Sequence, residues 1–87
     1  MKINFTDTAL KQLRAITKGN KQDAQRILNR IEAYAQEPQE KHDVKILKGS
    51  MGDRYRLRAG DYRVIFKKEK QGITISLIKH RRDVYHD

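Results

Sequence analysis

The chain has no cysteine and no tryptophan, and only one proline and five glycines among its 87 residues. Without a thiol it can build no disulfide framework, zinc finger, iron–sulfur cluster or cysteine nucleophile, and it suits a reducing compartment. No apolar run approaches the ~18–20 residues that a membrane-spanning helix needs. The start, MKINFTDTAL, carries no apolar stretch of the secretory kind, so a cytoplasmic protein with no membrane partner is expected. Acidic side chains are scarce beside basic ones: 11 Asp and Glu against 20 Lys and Arg, a formal net charge of +9. Those acids are also scattered. Asp53, Asp61, Asp83 and Asp87 each stand close to Arg or His in sequence, which offers no oxygen cluster for Mg²⁺, so neither metal nor cofactor is expected. Gly49 and Gly52 lack the Gly-Lys-Ser/Thr ending of a phosphate-binding P-loop.

What remains is enough for one fold. Hydrophobic residues make up 37% of the chain and charged ones 36%, which fills one modest core under a heavily ionised surface, so residues 1–87 read as a single domain. No repeat or low-complexity tract interrupts it. The excess charge is uneven: residues 1–40 hold seven basic and five acidic side chains, whereas residues 41–87 hold thirteen and six. A small, strongly basic domain without membrane features points to a polyanionic partner, nucleic acid first, because neutralising phosphates supplies affinity. The competing reading is a basic face kept for solubility, or one that meets an acidic protein.

Ile3 and Phe5 alternate with Lys2 and Asn4, which predicts a short first strand. Thr6 or Asp7 then caps a helix carrying Ala9, Leu10, Leu13 and Ile16 on one face and closed by Gly19. Asn20 caps a second helix, lined by Ala24, Ile27, Leu28, Ile31 and Ala35, that ends before Pro38. Beyond residue 43 the period falls from 3.6 to 2. Strands are expected over Val44 to Lys48, Arg54 to Arg58, Tyr62 to Phe66 and Ile73 to Ile78, with turns at Ala59-Gly60-Asp61 and around Gly72. The order β-α-α-β-β-β(-β) predicts an α+β fold, with two N-terminal helices packed on one face of an antiparallel sheet.

Alternation along a strand puts Arg54, Arg56 and Arg58 on one side and Tyr55 and Leu57 on the other, facing the helices. The three guanidinium groups, spaced about 6–7 Å apart, match successive phosphates of a single strand and present planar forks of donors to them. Arg63 joins the same face if Tyr62 and Val64 point inward. A solvated outer face is the alternative, although lysine and glutamate would serve it as well without self-repulsion. The ending Lys79-His80-Arg81-Arg82-Asp83-Val84-Tyr85-His86-Asp87 gathers cations, imidazoles and a phenol. Those groups suit phosphodiester cleavage by the substrate's own 2′-hydroxyl, which needs a proton acceptor, a proton donor and cations on the non-bridging oxygens. Equally, a terminal histidine can be incidental, and Tyr85 can simply pack on the sheet.

The run Leu47-Lys48-Gly49, the segment RYRLRAGDYRVIF from Arg54 to Phe66 and the ending HRRDVY from His80 to Tyr85 together resemble the RelE/ParE superfamily of bacterial toxins, most closely its RelE branch. The resemblance covers nearly the whole chain. It implies a RelE-like fold and the toxin of a type II toxin–antitoxin system, a ribosome-dependent mRNA endonuclease that cuts in the ribosomal A site. Its partners would be mRNA, the ribosome and a separate antitoxin that hides the basic face, with operator DNA reached only through the antitoxin complex. Carried over by position, the central-strand cations fall on Arg54 and Arg56, the phosphate-holding arginine on Arg63, the terminal tyrosine on Tyr85 and the proton donor within Lys79 to Arg81. Lysines stand in the best-known members where this chain has Arg54 and Arg56, and arginine holds its proton too tightly for base work. The titrating group is therefore expected to be His80 or His86. Lys48, Arg58, Lys79 and Arg82 would add RNA contacts. The ParE branch shares the fold but acts by binding DNA gyrase, and is the alternative.

Overall fold

Thr6 and Asn20 start the two helices as their side chains dictate. In the computed structural model, which describes residues 1–49 and 52–83, Thr6 Oγ1 accepts from the Ala9 amide at 3.2 Å. Asn20 Oδ1 accepts from the amides of Gln22 and Asp23 at 3.0 and 3.2 Å. Each cap satisfies first-turn donors that would otherwise have no partner. Helices α1 (Asp7–Gly19) and α2 (Lys21–Gln36) follow strand β1 (Lys2–Phe5). The chain then runs through β2 (Val44–Leu47), β3 (Arg54–Ala59), β4 (Tyr62–Glu69), β5 (Gly72–His80) and a 3-10 turn, Arg81–Asp83. No described helix is long and apolar enough to cross a membrane.

Both helices lie on one face of a five-stranded sheet ordered β1-β5-β4-β3-β2. The α+β expectation holds with one correction: β1 pairs with β5 in parallel, Ile3 opposite Ile73 and Phe5 opposite Ile75, so the sheet is mixed. The cause is parity. Each connection from β1 through α1, α2 and the four later strands roughly reverses the chain, and an even number of reversals returns β5 to the direction of β1. Alternation in Ile3 and Phe5 reports which face is buried, not which way the strand runs.

The core joins Ile27, Ile31 and Tyr34 of α2 to Leu57, Val64 and Phe66 of the sheet, all nearly inaccessible to water. Tyr34 is an addition to the face read from sequence; its ring meets Phe66 at 5.1 Å and His42 at 5.2 Å between centroids. His42 Nε2 lies 2.6 Å from the Glu37 carbonyl and so closes the connection from α2 to β2. Hairpin β3–β4 turns on Gly60, whose φ of 63° is the left-handed value that a primed two-residue turn demands at its first central position.

One irregularity governs β5. The register runs regularly up to Phe66 opposite Ile75, then resumes with Ile65 opposite Leu77, leaving Ser76 as an extra residue. Ser76 Oγ donates to the Ile65 carbonyl at 3.3 Å, and the Ser76 carbonyl accepts from Thr6 Oγ1 at 3.3 Å. Past the bulge the inward positions change parity: Ile73 and Ile75 are buried before it, Ile78 after it. Where β1 no longer covers this edge, Gln12 of α1 does, its Oε1 accepting from the Ile78 amide at 2.6 Å.

Gly72 tests the parallel pairing. A Cβ there would stand 2.1 Å from the Lys2 carbonyl oxygen, which is backbone and cannot rotate away. Gly72→Ala should therefore lose about 1–3 kcal/mol, seen as a lower urea midpoint; an unchanged midpoint would mean that β1 does not lie against β5 in this way.

Candidate nucleic-acid interface

Residues directly opposite one another on paired strands share a face, so the registers assemble the outer surface of the sheet row by row. One row is Arg58, Arg63 and Lys79, on β3, β4 and β5. The next is Lys45, Arg56, Ile65 and Leu77, on β2 to β5. Arg54, opposite Leu47, continues the series at the start of β3. Leu57, Val64 and Phe66 fill the other face, so the expected separation of arginines from core holds on β3 and β4.

Arg58 stands directly across from Arg63, and Lys45 across from Arg56. Like charges so placed are destabilising by a few tenths to about 1 kcal/mol each. Among the described residues, no carboxylate lies within ion-pair distance of Arg54, Arg56, Arg58 or Arg63, and Arg81 pairs with Asp61 at 3.8 Å. Both of its side chains are 64% exposed, so it contributes little to stability. Arg58 Nε donates to the Gly60 carbonyl at 3.4 Å, a weak contact that leaves most of its donor fork outward. A small recess of about 260 Å³ is lined by Arg58, Gly60, Asp61, Tyr62, Arg63 and Arg81. Arg81 reaches it because its amide donates to the Asp61 carbonyl at 2.7 Å, which anchors the 3-10 turn on the β3–β4 hairpin. Three arginines thus line one recess beside the single carboxylate of Asp61, and guanidinium forks are the groups that take the non-bridging oxygens of a phosphate.

His80 is elsewhere. Simple alternation from Ile73 and Ile75 would turn it outward beside the arginines, but the bulge at Ser76 reverses parity and puts Lys79 there instead. The His80 ring lies edge-on to Tyr62, 5.1 Å between centroids, beside a cleft of about 660 Å³ under the α1–α2 connection that Ile16, Asn20 and Ile78 help to line. Its Nδ1 accepts from the Arg82 amide at 3.2 Å, so the neutral ring carries its proton on Nε2. Of the predicted site residues, the structure brings together Arg54, Arg56, Arg58, Arg63, Lys79 and Arg81, and separates His80 from them by the thickness of the sheet. Lys48 is exposed just past β2, and Arg82 is exposed on the 3-10 turn. Tyr85 and His86 lie outside the described residues. Lys45 and the half-buried pair Ile65 and Leu77 belong to this face and were not picked out from sequence; only register reveals them. Among the described residues, no three His, Asp or Glu side chains gather as a metal-binding group.

The surroundings of Tyr62 move its phenol away from the ordinary titration range. Burial, then the nearby Asp23 carboxylate, raises its pKa above the ordinary tyrosine value, while Arg82 opposes them. Above about pH 10 the unfolded chain releases this proton before the folded one, so the folded state loses stability as pH rises. In Tyr62→Phe that alkaline decline should be shallower than in the wild type when urea midpoints are compared between pH 9 and 11; parallel curves would count against the shift. For the outer face, Arg58→Gln removes a like-charge pair. Its unfolding free energy from urea titration should stay level or rise by up to about 1 kcal/mol, while affinity for single-stranded RNA at low salt falls.

Comparison with known proteins agrees with this geometry. Residues 3–85 match the family model described as "ParE toxin of type II toxin-antitoxin system, parDE". Among solved structures, the archaeal RelE–RelB complex from Pyrococcus horikoshii OT3 aligns with a TM-score of 0.72 at 31% identity, over 95% of this chain and 97% of that one. The RelB–RelE antitoxin–toxin complex from Methanococcus jannaschii aligns with a TM-score of 0.69 at 27% identity, over 91% of each chain. A YoeB/ParE toxin from Agrobacterium tumefaciens reaches 0.77 at 14% identity, over 92% and 98%, a likeness of fold. A search of curated proteins returned no match. A match running from β1 to beyond the 3-10 turn, together with a relative 31% identical over almost its full length, makes this chain a member of the ParE toxin family of type II toxin–antitoxin systems, within the RelE/ParE superfamily.

Proposed function

We propose that this toxin is a ribosome-dependent mRNA endonuclease that cuts by attack of the substrate's 2′-hydroxyl on the adjacent phosphorus, with loss of the 5′-oxygen. The observation that carries the reading is the row of like charges on the outer face, Arg58 against Arg63 beside Lys79, with Arg56 and Lys45 next to it. Such rows work against folding, and a polyphosphate backbone is the ligand that would turn the repulsion into affinity. Likeness to RelE toxins at 31% and 27% identity supports the same branch.

In this reading Arg56, Arg58, Arg63 and Arg81 hold the scissile phosphate and the negative charge that grows on it, with Arg54 and Lys48 further along the RNA. Ile65 and Leu77 offer the bases a flat apolar floor. Arginine cannot accept the 2′-hydroxyl proton at neutral pH, and the His80 ring is across the sheet, so that proton falls to His86, with Tyr85 orienting the substrate. His80 instead holds the 3-10 turn through Arg82 and thereby helps to place Arg81. Lys79 and Arg82 add contacts to RNA. A surface built from arginines grips a backbone but does not shape it, which is why the ribosome is assigned the task of presenting the mRNA. The cytoplasm, where ribosomes translate, is the matching location. No metal or cofactor enters this scheme, and operator DNA would be met only together with the antitoxin.

The family model's own name favours one other reading, a ParE-type toxin that inhibits DNA gyrase by binding it. Primer extension on a defined mRNA, with and without translating ribosomes, separates the two. Cleavage within codons should appear only with ribosomes. It should fall at least ~100-fold in Arg63→Ala and His86→Ala, and also in Tyr85→Ala, and survive in His80→Asn, whose Oδ1 can accept the same bond from the Arg82 amide. Intact mRNA in every lane, with loss of gyrase supercoiling activity, would move the assignment to gyrase.

A further inference from the structure

Tyr62 stands between two hollows of opposite character. On one side it lines the recess of Arg58, Arg63 and Arg81; on the other it lines the cleft of about 660 Å³ under the α1–α2 connection. Alternation along β4 explains how one residue serves both. Arg63 turns to the outer face, whereas Tyr62, one position earlier, lies opposite His80 on the helix side. Lys79, opposite Arg63, also borders the cleft. Consecutive Cα atoms stand about 3.8 Å apart, so a nucleotide whose phosphate lies in the recess has the cleft within reach of a neighbouring base.

Chemistry divides what each hollow can hold. Three arginines suit the recess to a phosphate, but the cleft has an apolar floor of Ile16 and Ile78 and the carboxylate of Asp83 on its wall. Asp23 and Asp83 both act on the Tyr62 phenol, so this side of the ring repels an anion. What fits is a flat, uncharged ring with polar edges. Tyr62 and His80 meet edge to face at 82°, which leaves each ring a face that the other does not cover. Gln12 Oε1 is taken by the Ile78 amide and Asn20 Oδ1 by the amides of Gln22 and Asp23, so both side chains keep their NH2 donors for a ligand. Asp83 supplies the matching acceptor.

We propose that this cleft captures an unstacked nucleobase of the RNA whose phosphate the recess holds. The base lies against the Tyr62 and His80 rings, and Gln12, Asn20 and Asp83 meet its polar edge. The proposal rests on the RNA-cleaving reading and extends the substrate's footprint around the end of the sheet to its helix side. Phosphates stay with the arginines, while the base passes over Tyr62 to where anions are repelled. A free phosphate or an acidic peptide is the wrong occupant for the same reason.

The test pairs a change in the cleft with a change in the RNA. Ala15 lines the cleft, is exposed, and belongs to neither the core nor the arginine face. Ala15→Leu narrows the cleft with a good helix former and should keep the wild-type urea midpoint. The probes are a 2′-O-methylated hexanucleotide of mixed sequence, which cannot be cut, and its fully abasic counterpart with the same phosphates. At low salt the variant should bind the intact hexanucleotide at least about fivefold more weakly than the wild type does, and the abasic one equally well. Base protons of the intact hexanucleotide should give NOEs to the Tyr62 and His80 rings. An unchanged affinity, an equal loss on both RNAs, or RNA-induced shifts confined to Arg58 and Arg63 overturns the base pocket and leaves the nuclease reading standing. NOEs from the same rings to residues 84–87 in place of the RNA overturn it in favour of the chain's own ending. Contacts there with a copurified protein, and none with RNA, overturn it in favour of a polypeptide. RNA that touches neither hollow also overturns it, and takes the nuclease reading with it when mRNA stays intact on ribosomes.

Discussion

Contact between α2 and the sheet, Ile27, Ile31 and Tyr34 against Leu57, Val64 and Phe66, decides where every other side chain can go. Each large side chain buried there is worth about 1.5–3 kcal/mol. A slip of one residue on β3 would turn Leu57 out and Arg56 and Arg58 in, a loss of that burial plus the desolvation of two guanidinium groups. Repulsion among cations across the outer rows, at a few tenths to about 1 kcal/mol per opposed pair, is small beside that. The core can thus hold the arginines in rows that they would never adopt by themselves. The outer face is the by-product of a well-packed inner one, and it is preorganised because the sheet is.

The same logic makes the bulge at Ser76 more consequential than its size. Before it, Ile73 and Ile75 face the helices; after it, Ile78 and His80 do, and Lys79 joins Arg58 and Arg63. A sheet without the extra residue would give the arginine face a histidine and the helix face a lysine. Gln12 and Thr6, reaching from α1 and its cap to β5, tie the bulge to the helix layer, so the parity change is held from two sides. His80 then serves the 3-10 turn, and the turn carries Arg81 to the recess by way of Asp61. One inserted residue on one strand sorts the basic ending between the outer face, where Lys79 joins Arg58 and Arg63, and the inner one, where His80 lies against Tyr62.

Much of this was legible in the residues. Thr6 and Asn20 read as caps, the 3.6 period read as two helices, and Arg54, Arg56 and Arg58 read as one side of a strand because alternation over Tyr55 and Leu57 is unbroken. What alternation cannot carry is direction, so the parallel run of β1 beside β5 was missed. Nor can Ile73 to Ile78 declare a bulge, because Leu77 and Ile78 are both plausible core residues and either could continue the alternation begun by Ile73 and Ile75. Lys45, Ile65 and Leu77 belong to the outer face only through cross-strand register, which is a property of pairs and not of any one segment. Tyr34 fits the core through its ring contacts with Phe66 and His42, long-range partners that the helix pattern does not contain.

Charge also bears on what the toxin can bind. A fold that tolerates opposed cations keeps part of its stability in reserve, available to any anion that binds the native state and not the unfolded chain, since such a ligand stabilises by mass action. The net charge of +9 also separates partners by kind: copies of the chain repel one another, while acidic chains and phosphates are drawn in. The outer face presents its cations in rows fixed by strand register, Arg58 against Arg63 and Lys45 against Arg56, so a polyanion that neutralised either partner of a pair would remove a repulsion that the core alone now bears.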